Sequence, residues 1–586
     1  MTSSIINEVL NIEFRGAAKE VTGSLFIVRA RTESGKVTFA VDCGMYQKNG
    51  NQQKNYQINY NKLSQEDLNE LDFILLTHAH LDHSGLIPHI FKRGYNKPVY
   101  ATKETIELCR IILADSGHIQ EEEAKYTNKK NQRKGFAPVS PLYTAEDAIE
   151  CMTIFKPVNC KKAFSLMDGT IQIVFKDSAH ILGSAYIEVA IRKPDGDEAV
   201  MVFSGDIGNK ITSRFNKHPN ILIMESTYGA SLHQAIEMES RNLDLARIIL
   251  DTIKKGGKVL IPAFTVGRLQ LLIFALNQAL RFLPPEDRKL LLSVPIIIDS
   301  PMGSAVTRVF REMFETNPGR FKYILGEHMD YYLSNHINPF SLPNIRVTES
   351  HQESQDLNEI DSPMIIIAGS GMCNAGRIRH HLKHNLWKPE NTVVFVGYQA
   401  QGTLGRRILS GEISVKINDE QIAVLARIEN IPEFSAHADQ QGLLRFARKT
   451  KSPPDFTFLV HGELKSLTAL SEELEKANYK VIIPDPGARY SVTKDFEISD
   501  DPEKTIVEIH NPIVSDIASN SFDALYFLAK LESFINTIKS SDQQIAVLSD
   551  TDMEIISKSL HDVFSSNAKL KASFNSLKKR VKKGKR

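Results

Sequence analysis

Short apolar runs ending in small or polar residues recur through the N-terminal part of the chain. Ile12-Glu-Phe14, Ser24-Leu-Phe-Ile-Val28 and Val37-Thr-Phe-Ala-Val-Asp42 are rich in β-branched and aromatic residues and are separated by turns that contain glycine. Phe73 to Leu76 and Ala199 to Phe203 are continuous apolar runs of strand length, Ile171 to Phe175 is apolar but for Gln172, and all three predict strands. Ser84 and Gly85 then open a helix through Leu86, Ile87 and Ile90. Lys103 to about Lys125 predicts a long helix with Leu108, Ile111 and Ile112 on one side, followed by a charged, solvated loop from Tyr126 to Gly135.

From about residue 216 the pattern becomes an alternation of strands and helices. Ile221 to Met224, Lys258 to Pro262, Ile296 to Ile298, Met364 to Ala368 and Thr392 to Val396 are strand-like, and helical or glycine-rich stretches separate them. Val266 begins one predicted helix. Asp299-Ser300-Pro301 reads as an N-cap and first-turn proline of another. This alternation predicts a parallel sheet. Phe456 to Val460 returns to the earlier style, and after Pro486 the pattern fades. Residues 500 to 586 read as an appendage, with helices over Ala524–Ile538 and Asp552–Phe564 and a basic end, Lys578 to Arg586.

Composition adds mainly exclusions. A formal net charge of +1 gives no global attraction to nucleic acid, so any such attraction must be local. The five cysteines are scattered, odd in number and without a C-x-x-C pair, which suits reduced thiols and a cytoplasmic setting. The N-terminus lacks the basic and apolar regions of a signal peptide, and no apolar run reaches the ~18 residues of a membrane span.

The candidate chemistry lies where strands end. Phe73–Leu76 runs into Thr-His78-Ala-His80-Leu-Asp82-His83. Three imidazoles and a carboxylate in six residues suit zinc and similar ions, and alternating positions after a strand can face two of them. Asp42 closes its own strand and could hold a ligand histidine by its other ring nitrogen. His180 and Asp206 each follow a further strand, with glycines nearby that let the backbone come close. Asp206 is placed to bridge two ions, a layout that needs one more ligand from further on. His437 and His461 lie in the returning segment and are the candidates for completing it. The loop Gly369-Ser370-Gly371 to Gly376 precedes a helix and has the form of an anion nest, with Arg268 and Arg377 associated with such loops.

Taken together, His78-x-His80-x-Asp82-His83, His180 and Asp206, with Asp42 upstream, resemble the motifs of the metallo-β-lactamase fold. Glu225, His437 and His461 resemble the three added motifs of the β-CASP nucleases. Phe434-Ser-Ala-His-Ala-Asp439 and Leu459-Val-His-Gly-Glu463 are similar to the RNA-cleaving branch, which includes bacterial and archaeal ribonucleases and the endonuclease of pre-mRNA 3′-end processing. The resemblance covers roughly residues 10 to 490.

The resemblance implies an α/β protein: a four-layer αββα metallo-β-lactamase fold with an inserted β-CASP α/β domain and a C-terminal appendage. The expected divisions are 1–215 and 416–498 for the first domain, 216–415 for the insertion and 499–586 for the extension. It also implies two zinc ions, one held by His78, His80 and His180, the other by Asp82, His83 and His461, with Asp206 between them. Asp42 would orient a ligand. His437, backed by Glu225, would protonate the leaving oxygen, with Asp206 and Asp82 also counted as catalytic. Gly369, Ser370, Gly371, Arg377 and Arg268 would hold RNA phosphates.

The implied activity is hydrolysis of single-stranded RNA to 5′-phosphate and 3′-hydroxyl products. Cutting would be endonucleolytic, with 5′-exonuclease action as a second mode. Homodimers are frequent in the family, and no membrane partner is implied. The competing readings are a DNA nuclease of the same family, a small-molecule hydrolase using the first-domain motifs alone, and a non-catalytic RNA-binding scaffold. An apolar residue at the position of His461 would have favoured DNA.

Overall fold

Two sheets pack face to face in the computed structural model, which describes residues 8–48, 52–232, 237–397, 399–431, 434–493, 496 and 498–500. The first sheet has eight strands in the order Ile498–Asp500, Arg489–Thr493, Glu8–Phe14, Phe26–Thr32, Gly35–Val41, Phe73–Leu75, Val99–Thr102, Phe155–Val158. The second has seven, in the order Val481–Ile482, Phe456–Val460, Ile221–Glu225, Glu198–Phe203, Ala185–Arg192, Ile171–Asp177, Phe164–Leu166. Their facing surfaces are closed by apolar side chains from both, among them Ile12, Phe14, Phe39, Phe175, Phe203 and Phe458. Phe14 and Phe458, from opposite sheets, have ring centroids 4.9 Å apart. Burial of these faces is the main driving force for the sandwich.

The outer face of each sheet is covered by helices, which makes four layers. On the second sheet, Leu222 and Met224 pack against Leu443 and Phe446 of the helix Gln440–Ala447 and Leu467 and Leu470 of the helix Leu464–Glu475. On the first, Ile74 and Leu76 join Leu108 and Ile112 of a long helix, and the same apolar cluster continues into Phe310 and Phe314 of the helix Pro301–Thr316. That continuity ties the inserted part to the sandwich by a shared core.

The insertion is built on a third sheet of six strands, all parallel, in the order Ile345–Val347, Ile296–Asp299, Ile365–Ala368, Val259–Pro262, Thr392–Phe395, Arg427–Asn430. Helices cover both faces, and the four inner strands are accordingly rich in isoleucine, leucine and valine and buried throughout. The expected division at 215/216 falls too early. Ile221–Glu225 pairs with Glu198–Phe203 and Phe456–Val460 and so belongs to the sandwich. The expected return at 415/416 also falls too early, because Arg427–Asn430 pairs with Thr392–Phe395 in the third sheet. Strand partners decide membership, and they cannot be read from a change of texture.

Two further expectations change. The helix that begins at Lys103 does not stop near Lys125 but runs to Lys134, through the segment expected to be a loop. Lys, Gln, Arg, Glu and Ala are good helix formers and need no apolar stripe to continue one. Asn128 and Asn131 donate to the carbonyls of Val139 and Ala137, which straps the returning chain along the helix, and Gly135 closes it at φ 72°. The helix expected from Val266 starts at Arg268, because Gly267 has φ 80°. The predicted cap at Ser300 is present: its hydroxyl accepts the N–H of Gly303, and Pro301 opens the helix.

Asp299, fully buried at the end of its strand, holds the third sheet to the helix after the glycine loop. It accepts from Ser354 Oγ and His381 Nε2, both at 2.6 Å, from Arg377 Nη1 at 2.6 Å, and from the Thr348 hydroxyl. These donors hold its carboxyl well below the usual carboxylate range despite burial. Asp299→Ala would strand all four donors and is expected to cost about 3 kcal/mol. A urea unfolding midpoint unchanged by the substitution would remove this network from the supports of the fold.

No helix among the described residues is long and apolar enough to cross a membrane. All five cysteines are free, four of them buried. The predicted helices Ala524–Ile538 and Asp552–Phe564 and the basic end lie outside the described residues.

Candidate metal centre

The strands of the second sheet, with Phe73–Leu75 of the first, deliver the candidate residues at one edge of the sandwich. His78 and His80 follow Phe73–Leu75, His180 follows Ile171–Asp177, Asp206 follows Glu198–Phe203 and His461 follows Phe456–Val460. Glu225 ends its own strand and lies in parallel register with Val460, which sets it beside His461. Several hinge residues are in the left-handed region that side chains other than glycine's resist: Asp42 at φ 61°, Ala179 at 58° and His461 at 49°. Close approach is also enforced by glycine. A Cβ on Gly44 would lie 1.7 Å from the Asp82 carbonyl oxygen, and one on Gly208 would lie 1.8 Å from that of Ala179.

Two groups of donor atoms converge there. In the first, His80 Nδ1 lies 3.2 Å from both His78 Nε2 and His180 Nε2. Burial lowers the basicity of all three rings, His80 to about 3. Neutral imidazoles whose ring nitrogens face one another cannot all be satisfied by shared protons. In the second group, His461 Nε2 lies 3.3 Å from both His83 Nε2 and Asp82 Oδ2. Burial opposes charge on His83 and His461, but nearby carboxylates outweigh it and raise both.

Asp206 sits between the groups with one oxygen toward each. Oδ2 lies 3.3 Å from His180 Nε2 and 3.5 Å from His78 Nε2; Oδ1 lies 3.3 Å from His83 Nε2 and 3.7 Å from His461 Nδ1. The sets His78, His80, His180, Asp206 and Asp82, His83, His461 each have donor atoms within 4.8 Å of one another. Asp206 Oδ1 and His180 Nδ1 are buried without a hydrogen-bond partner. Buried polar atoms left unpaired are costly, and a cation in each group would turn convergent lone pairs into ligands. The donor chemistry, imidazole and carboxylate, suits zinc.

The surroundings hold the donors in place. Asp42 Oδ2 lies 2.7 Å from His83 Nδ1 and also accepts from the Thr77 hydroxyl, which in turn lies 3.1 Å from His78 Nδ1. Thr227 Oγ1 lies 3.2 Å from His461 Nδ1. Such partners fix ring orientation. Thr77 and Thr227 were not anticipated, although each stands next to or two residues from a motif residue.

His437 stands apart from both groups. Its Nδ1 lies 3.2 Å from Glu225 Oε1, and its Nε2 is 3.9 Å from Asp206 Oδ2. Burial works against charge on this ring, but the Glu225 and Asp206 carboxylates prevail and push it up to about 9. Cations bound at Asp206 would pull it back toward neutrality. Glu225 is itself fixed by the N–H groups of Ile207 and Thr227.

Of the expected phosphate-binding residues, Gly369, Ser370 and Gly371 form the turn after Ile365–Ala368. The N–H groups of Ser370 and Gly371 meet no acceptor among the described residues. Arg377 has an internal partner: its Nη1 lies 2.6 Å from Asp299 Oδ1. Arg268 donates to the Val396 carbonyl and pairs with no carboxylate among the described residues.

Sequence models of three families match in chain order: a metallo-beta-lactamase superfamily domain over residues 32–195, a Beta-Casp domain over 269–408, and a Zn-dependent metallo-hydrolase RNA specificity domain over 421–484. The chain is 33% identical over 464 residues to Ribonuclease TTHA0252 of Thermus thermophilus, covering 78% of this chain and 94% of that protein. It is 29% identical over 472 residues to the Transcription termination factor FttA of Methanosarcina mazei, covering 79% of this chain and 68% of that protein. Against the factor of that name from Methanothermobacter thermautotrophicus, identity is 30% over 473 residues, with 78% and 68% covered. The chain belongs to the β-CASP family of the metallo-β-lactamase superfamily.

Proposed function

We propose that this chain is a metal-dependent ribonuclease that hydrolyses RNA phosphodiester bonds to 5′-phosphate and 3′-hydroxyl ends. The observation that carries the reading is the pair of donor groups meeting at the two oxygens of Asp206, with His437 and Glu225 beside them. His78, His80 and His180 would hold one zinc ion, Asp82, His83 and His461 a second, and Asp206 would contribute to both. When bound, the two cations supply charge that acidifies a water and offsets the negative phosphate oxygens. His437 carries a proton on Nε2, held ready by the Glu225 contact at Nδ1, and gives it to the leaving oxygen as the bond breaks.

RNA as the substrate is supported by the match to the RNA specificity domain and by the name of the Thermus relative. The Ser370 and Gly371 N–H groups and Arg268 are the groups that position the backbone phosphates. Arg377 is left out of that set, since Asp299 already holds it.

The test is incubation of the protein with 5′-labelled and internally labelled single-stranded RNA, and with DNA of the same sequence, with and without chelator. Internal fragments with 5′-phosphate ends, lost on chelation and regained with zinc, are expected. Mononucleotides released first from the 5′ end would identify the exonuclease mode. Cleavage of DNA alone, or RNA cleavage indifferent to chelator, would overturn the reading.

A further inference from the structure

Phe264, beside the glycine loop, has no part in the nuclease reading. It follows the buried strand Val259–Pro262, and its neighbour Ala263 is buried, yet its own side chain is 45% exposed. The ring rests on the glycine loop. A Cβ on Gly371 would lie 2.8 Å from Phe264 Cδ2 and 2.9 Å from Cε2, and one on Gly369 would lie 3.3 Å from Thr265 Cγ2. Gly371 is thus a position where only glycine leaves room for the ring.

The same short segment reaches the metal side. A Cβ on Gly267 would lie 2.9 Å from Cγ2 of Ile181, the residue after His180. Arg268 comes next. Its Nε is buried without an acceptor, and the Val396 carbonyl takes one Nη1 hydrogen. A half-buried guanidinium with no carboxylate partner among the described residues is an uncompensated charge, and burial lowers it to about 10. On the same side, the ring centroid of Tyr228 lies 6.0 Å from that of His437. From Phe264 to Arg268, the chain therefore runs from the glycine loop to the catalytic edge, with an open aromatic ring at one end and a cation short of an anion at the other.

We propose that Phe264 is a base-stacking platform: one RNA base lies on its ring while Arg268 and the Ser370 and Gly371 N–H groups hold the adjoining phosphate. This rests on the ribonuclease reading and adds a nucleotide subsite to it. Every base has a π-face, so such a subsite grips RNA without selecting sequence. It requires an unpaired base, which would bias the enzyme to single strands.

The test uses the zinc-loaded protein and a set of RNA oligonucleotides with one abasic nucleotide at successive positions around the cleavage point. With the wild-type protein, kcat/KM should fall about tenfold at one position. Phe264→Ala should lose a similar factor on intact RNA and nothing further on the RNA abasic at that position. Phe264→Trp should restore both behaviours. Phe264→Leu keeps apolar packing on Gly371 but has no π-face, and it should behave like the alanine variant.

Equal losses by Phe264→Ala on intact and abasic RNA would make the ring a mere prop for the loop and overturn the proposal. So would wild-type cleavage with no abasic position standing out. A wild-type protein that cuts no RNA would overturn the ribonuclease reading along with the subsite, and is distinguished from those outcomes by the intact substrate alone.

Discussion

Replacing His437 by alanine is expected to lower the cleavage rate constant by about 10²–10⁴ while both cations remain bound. The ring contributes to neither donor group: its Nε2 is 3.9 Å from the nearer Asp206 oxygen, and its Nδ1 is taken up by Glu225. On the proposed reading, removing it would delete a proton donor without deleting a ligand. The loss should fall on kcat, because the leaving oxygen gains its charge only as the bond breaks. RNA carrying a better leaving group, such as a 3′-bridging phosphorothiolate, should recover much of the rate. Zinc lost from His437→Ala in proportion to activity would show that the ring is a ligand and that the assignment is mistaken.

Asp206→Ala should be the most damaging change at the metal site, because one side chain serves both donor groups. Metal content measured after gel filtration should fall from two ions per chain toward none, and cleavage should drop to background. Loss of the carboxylate removes a donor from each group and the charge that best offsets two adjacent cations. His461→Ala offers the contrast. It adjoins His83, Asp82 and Asp206 but does not belong to the group of His78, His80, His180 and Asp206, which should keep its ion. Thermal unfolding with and without chelator gives a second readout independent of turnover: chelator should shift wild type and His461→Ala but leave Asp206→Ala unmoved. Two ions retained by Asp206→Ala would rule out the shared position.

The donors were legible in the sequence because each follows an apolar run and is flanked by small residues. His78, His180, Asp206 and His461 repeat one local grammar, and strand ends at one edge of a sheet converge whatever the intervening chain does. Asp42 was likewise visible as a polar end to an apolar strand. Thr77 and Thr227 were not, since a hydroxyl beside a histidine is a common neighbour and its role depends on ring orientation. The Asp299 partner of Arg377 was hidden for a related reason. The arginine's place after a glycine loop suggested phosphate, while its actual partner, Asp299, comes from 78 residues earlier and a different strand. The helix through Tyr126 to Lys134 has no apolar stripe to show, so its helical character does not stand out in the sequence. The domain limits were misplaced by strands whose apolar character is the same in either sheet.

The third sheet and its helices stand between Asp206 and His461 in the chain, and that order has a temporal side. Synthesis is directional, so the two donors are separated by 461 − 206 = 255 residues of translation. At about 5–20 residues per second that is roughly 10–50 s. Throughout it the nascent chain holds the three histidines and Asp206 but lacks the last donor, and for all but the end of it lacks His437 as well. A ribosome is the densest RNA in its own surroundings. In the proposed nuclease, the insertion postpones the armed state until nearly the whole folded body has been made, and prematurely ended chains would bind metal without acquiring the means to cut.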